Sequence, residues 1–134
     1  MVRYTATDFG KRIVSYVQDG DIERISELLR IGIICPDTDI YTIQNTFYKL
    51  LESIVLKTPY NYKEMIDTIL MYGLVDSSAT GQTPLQNAII ARNFPVAAYL
   101  QYRGGTYSIE VIDKYNTIAD INLYQELDRE FAKL

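Results

Sequence analysis

Apolar side chains recur along this chain at spacings of three and four residues, interrupted every ten to fifteen positions by caps and glycines. That period is the mark of amphipathic helices. Phe9, Ile13, Tyr16 and Val17 predict a first helix over 7–19, capped by Thr7 or Asp8. Asp19-Gly20-Asp21 breaks the pattern. Asp21 then caps a second helix with Ile22, Ile25, Leu28 and Leu29 inward, closed by Gly32. A longer run, Ile43, Phe47, Leu50, Leu51 and Ile54, keeps helical spacing until Thr58-Pro59, with Thr42 and Thr46 both available as its cap. Asn61, with Glu64 three residues on, has the form of a capping box. It opens a helix carrying Tyr62, Met65, Ile66, Ile69 and Leu70, closed by Gly73.

The stretch from Gly81 to Gly104, GQTPLQNAIIARNFPVAAYLQYRG, is the most informative. Thr83 is placed to accept free N–H groups at a helix start, and Pro84 sits where a missing N–H costs nothing. Leu85, Ala88 and Ile89 share one face. Asn93 offers a second cap, with Pro95 in a tolerant first turn. Val96, Ala97, Tyr99 and Leu100 form the next apolar face, and Gly104 is a natural left-handed stop. Beyond it, Thr117-Ile118-Ala119 offers the opening of another helix. Tyr124, Leu127, Phe131 and Leu134 then make a narrow apolar stripe among charges.

Eleven residues separate Asp21 from Gly32, eleven separate Asn93 from Gly104, and twelve separate Asn61 from Gly73. These matched intervals argue for an internal repeat. Two short helices with a tight turn, opened by Thr-Pro-Leu and closed by Gly, resemble the ankyrin repeat. Gln86 stands where that family usually has His, and Arg92-Asn93 where it usually has Gly-His. The resemblance covers about residues 8–105 as three degenerate units, the middle one some eight residues too long. Residues 106–134 are expected to form a capping unit with a polar outer face. It implies an all-α fold, a short helical-repeat solenoid with projecting turns, in a single domain over 1–134. A helical-pair stack of another family is the rival fold. Ile33-Ile34-Cys35 and Gly73-Leu74-Val75 read as turn segments, not as strands of a sheet core.

Composition narrows the function. The 134 residues carry a net charge of −4, which argues against nucleic acid or an anionic membrane as partner. No apolar run approaches the roughly 20 residues of a transmembrane helix. The start, MVRYTATDFGKR, lacks the apolar region of a signal peptide. Cys35 is the single cysteine, which suits a reducing cytosol, or a host cell interior for a viral or effector protein. Histidine is absent, and with it the commonest general base and zinc ligand. Cys35 without such a partner reads as an inert thiol, and Gly104-Gly105 is a lone pair, not a phosphate loop. The expectation is a protein without catalytic residues, cofactor or metal.

Twelve tyrosines against four phenylalanines and no tryptophan are the unusual feature. Tyrosine combines large contact area with few rotors and a polar tip. Tyr16, Tyr62 and Tyr99 fall on inward faces, while Tyr41, Tyr60, Tyr72, Tyr102, Tyr107 and Tyr115 fall in turns or near helix ends. Acids gather in the inter-unit segments: Asp37, Asp39, Asp76, Glu110 and Asp113. In ankyrin-like proteins those turns and the first helices form a concave binding surface. The resemblance therefore implies a protein partner, one with a basic surface suiting these acids. Its contacts would be Asp37, Asp39, Tyr41, Asp76, Gln82, Ile90, Tyr107, Glu110 and Asp113. The expected role is an inhibitor or sequestering module, such as an immunity or antitoxin protein or a viral or effector mimic, and the expected state is a monomer. A structural subunit or adaptor of a larger complex is the alternative.

Overall fold

A computed structural model of the chain describes residues 6–34, 40–72, 76 and 82–134, and the side chains of 11–30, 47–72, 76 and 82–134. These residues form eight helices and no strand, so the expected all-α class holds. They are α1 (Ala6–Gln18), α2 (Ile22–Ile34), α3 (Ile40–Leu56), α4 (Tyr62–Leu70), α5 (Pro84–Ile90), α6 (Phe94–Tyr102), α7 (Ile109–Ile118) and α8 (Leu123–Ala132). No helix among the described residues is long and apolar enough to cross a membrane.

The packing follows a simple order. Odd-numbered helices lie against odd ones, α1 on α3, α3 on α5 and α5 on α7. Even-numbered helices do the same, α2 on α4, α4 on α6 and α6 on α8. The first three odd–even pairs also pack internally. The buried apolar side chains form a cluster from Ile13 and Val17 of α1 to Leu123 and Leu127 of α8. Leu85, Ala88, Ile89, Val96, Ala97 and Leu100 are at most 1% exposed, as their spacing predicts. Phe94, Ala98 and Tyr99 are buried as well, so α6 is covered nearly all round. A helix apolar on every side belongs at the centre of a fold, and α6 has α4, α5 and α8 about it.

Local chemistry explains the helix ends. Thr83 accepts the Gln86 N–H at 3.2 Å, and Asn93 accepts the Val96 N–H at 3.4 Å. Asp21 accepts the Arg24 N–H at 3.1 Å. Three helices close with one hydrogen-bond pattern, in which a residue of positive φ follows the last turn. After α1 the Gly20 N–H reaches Val17 O and the Asp21 N–H reaches Tyr16 O, with Gly20 at φ +65°. After α6 the Gly104 N–H reaches Gln101 O and the Gly105 N–H reaches Leu100 O, with Gly104 at φ +94°. After α5 the same bonds run from Arg92 to Ile89 and from Asn93 to Ala88, but the positive-φ residue is Arg92, at 59°.

Several sequence expectations are corrected. α1 begins at Ala6, so Thr7 and Asp8 lie in its first turn instead of capping it. α2 continues through Gly32 to Ile34, because the apolar Ile33-Ile34 extends the pattern and one glycine costs a helix only about 1 kcal/mol. Ile33 and Ile34 are therefore helical, not part of a projecting turn. α3 starts at Ile40, which places Thr42 and Thr46 inside it. Asn61 makes no side-chain cap to α4; its amide is committed elsewhere. Thr117-Ile118-Ala119 ends α7 instead of opening a helix. Ser108 opens it, accepting the Val111 N–H at 3.4 Å. Gly73, Cys35, Asp37 and Asp39 lie outside the described residues.

Candidate partner-binding surface

The odd helices start at one edge of the molecule and hand over to the even helices at the other. At the starting edge the segment before α5 is knitted to the segment before α7. Thr106 is the hub. Its N–H and hydroxyl donate to the two carboxylate oxygens of Asp76, each at 2.9 Å, and its carbonyl accepts from the Thr83 hydroxyl. Gln86, 4% exposed, accepts the Ser108 N–H at 3.0 Å through Oε1. The residue that departs from the resemblance thus ties α5 to the start of α7.

The neighbouring tyrosines extend this region. The Tyr107 and Tyr124 rings lie 6.4 Å apart, and the Tyr124 hydroxyl donates to Asp113. Desolvation, then the bond to Asp113, pushes the Tyr124 phenol up to about 12. Glu110 is exposed in the first turn of α7, where a carboxylate suits the helix dipole. Gln82 is exposed before Thr83, and Ile90 is half-buried at the end of α5.

Among the expected contact residues, Asp76, Tyr107 and Asp113 are brought together through Thr106 and Tyr124. Asp76 and Asp113 both spend a carboxylate on an internal bond. Among the described residues Glu110 makes no such bond; Gln82 precedes α5, and Ile90 ends it. Tyr41 lies within α3, but its side chain, like Asp37 and Asp39, is outside the described set.

The opposite edge carries a second series of links. Asn61 Nδ2 donates to Gly20 O at 3.0 Å. Asn93 Nδ2 donates to Val55 O at 2.9 Å and to Thr58 Oγ1 at 2.7 Å. Arg92 pairs with Asp120 at 2.9 Å, and its guanidinium holds the Asp120 carboxyl below its ordinary value. Each turn is thereby fastened to a neighbouring turn. Tyr60 and Leu56 sit on this edge, 90% and 66% exposed.

The even row contributes a cluster that the sequence reading missed. Tyr99 donates to Asp67 at 2.7 Å, Arg103 stands 3.5 Å from the same oxygen, and Lys63 lies 5.9 Å from the Tyr99 ring centre. Tyr62 meets Tyr99 edge to face at 6.4 Å, and Tyr102, 61% exposed, lies 5.9 Å away. A usable signal existed. Asp67 follows Asn61 by six residues and Tyr99 follows Asn93 by six, so the two stand at matching positions of α4 and α6. Among the described residues, no three His, Cys, Asp or Glu side chains converge to hold a metal ion. No protein-family model matches the chain, and comparison with curated proteins and with solved structures returns no match.

Proposed function

We propose that the chain is a non-enzymatic protein-binding module, a short ankyrin-like stack of helix pairs that inhibits or sequesters a partner protein. The observation that carries this reading is the packing order together with the turn links. Each odd helix lies on the next odd helix, each even on the next even, and side chains of one turn bond the backbone or side chain of its neighbour. Such a stack buries each unit only against its neighbours and presents a continuous surface of fixed shape. Fixed shape lowers the ordering cost of association. The proposed contact surface comprises Gln82, Ile90, Tyr41, Tyr107 and Glu110, with Asp37, Asp39, Asp76 and Asp113 adding negative potential toward a basic partner. Acids at a rim mainly accelerate association and lose influence as salt screens them.

A second reading, a structural subunit or adaptor, is favoured by one observation: Ile109, Tyr115 and Ile118 of α7 are 65%, 43% and 82% exposed. An exposed apolar face suits a stack that continues into another protein.

Affinity capture from the native source, followed by binding measurements on variants, tests the proposal. Gln82→Arg combined with Ile90→Glu should weaken binding at least about tenfold, with Tyr60→Ala close to neutral. Loss of binding in Tyr60→Ala alone would move the functional surface to the opposite edge.

A further inference from the structure

Among the described helices α7 stands at the end of the odd row, and Ile112 is its one fully buried residue. The interior helices show what a member of that row meets. α3 lies between α1 and α5, and α5 lies between α3 and α7, whereas α7 has α5 alone in its row. With 3.6 residues per turn, Val111, Tyr115 and Ile118 fall on one stripe, roughly a quarter-turn from Ile112. Val111 is half-buried, Tyr115 is 43% exposed and Ile118 is 82% exposed. Three apolar side chains at i, i+4 and i+7 form a packing face, not a scatter of single exposed residues.

The flank of this stripe carries charge of alternating sign. Glu110 and Lys114 stand one turn apart on the same side, both exposed. Among the described residues neither has an ion-pair partner.

We propose that a second copy of the chain covers this face, with the two α7 helices side by side and antiparallel about a two-fold axis. Two-fold symmetry sets the same flank of each helix across the seam. Glu110 of each copy then meets Lys114 of the other, so the ion pair forms twice. Val111 and Tyr115 interleave about the axis, and Ile118 closes the outer end of the seam. The opposite signs at an i, i+4 spacing make the face self-complementary; a flank of one sign would repel its own copy. Because the contact is isologous it closes at two subunits and leaves no open end for a filament. The proposed dimer differs from the monomer expected from the sequence. The proposal does not rest on the partner-binding reading, but the seam takes Glu110 from that surface, so a partner contacting Glu110 would compete with the dimer.

Sedimentation equilibrium of the full chain over a wide concentration range provides the test, with circular dichroism to verify helix content. The wild-type chain should approach twice its formula mass. Glu110→Lys and Lys114→Glu should each weaken self-association by about tenfold, since each puts like charges across the seam twice. An equimolar mixture of the two variants restores both pairs in the mixed dimer and should associate like the wild type. The double variant carrying both changes should do the same. The proposal is overturned if the wild type stays monomeric throughout. It is equally overturned by a dimer indifferent to both single changes, or by a mixture no tighter than its components.

Discussion

Arg92 occupies a backbone conformation that its own side chain opposes. At φ 59° it fills the place that Gly20 and Gly104 fill after α1 and α6. A left-handed residue with a Cβ costs roughly 1–2 kcal/mol relative to glycine. What Arg92 returns is the ion pair to Asp120, with side chains 48% and 81% exposed. Exposed pairs contribute about 0–1 kcal/mol. The strain should win: Arg92→Gly is expected to stabilise the chain by about 0.5–1 kcal/mol in urea unfolding. Asp120→Ala should change stability by less than about 0.5 kcal/mol. A glycine variant less stable than wild type would mean that the arginine contributes more than its ion pair. Tyr99 gives a second prediction at this scale. Desolvation, then the bond to Asp67, raises its phenol from 10.0 to about 12. Folding therefore favours the protonated form. Its contribution is complete below the unfolded value near 10 and is lost as pH climbs toward 12. Phenolate absorbance followed with pH should show Tyr99 and Tyr124 ionising late, near pH 12. Tyr99→Phe should delete one late-ionising group and leave the Tyr124 signal in place; an unchanged late phase would contradict the Tyr99–Asp67 contact.

Among the described side chains, those of α5 and α6 are the most densely buried, and those of α7 the least. Leu100 is fully buried in α6, so Leu100→Ala is expected to cost about 2–5 kcal/mol, the range for a leucine lost from a close-packed core. Denaturant melts give the value, and a change under about 0.5 kcal/mol would place Leu100 outside the core. The α5–α6 unit was legible in the sequence because its determinants are local. Thr83, Asn93 and Gly104 each act on backbone groups within a few residues, and Pro84 needs only its position. Gly32 misled because a glycine marks a stop only when the apolar pattern also ends, and here Ile33 and Ile34 continue it. Asn61 misled for a different reason. Its amide serves Gly20, 41 residues away, and no local pattern reveals that competition. The candidate surface was legible in the same partial way. Glu110 and Asp113 read as acids of an inter-unit turn, but the helical pattern from Ile109 carries both into α7; long-range partners hold Asp76 and Asp113: Thr106, 30 residues on, and Tyr124, 11 residues on. A carboxylate fixed in such a bond shapes the surface and has less freedom to meet a partner. Tyr60 stood in the sequence as one turn tyrosine among several, and only the packing of its neighbours left it 90% exposed.

Across the whole molecule, the two rows are fastened differently. The odd row is joined at its starting edge through Thr83, Gln86 and Thr106, and the turn edge is joined by Asn61, Asn93 and Arg92. The even row is joined by burial about α6, with Tyr99 and Arg103 also holding Asp67 of α4. The cover that α8 gives to α6 has a consequence for biosynthesis. Leu123 follows Tyr102 by 21 residues. At about 5–20 residues per second, a ribosome needs about 1–4 s to begin α8 after completing α6. During that interval the FPVAAYLQY segment has α4 and α5 to pack on, but the side reserved for α8 faces water. A chain halted before α8 keeps that apolar side open indefinitely, which makes it a natural client for chaperones and proteases. Quality control of this protein is thereby tied to the arrival of α8.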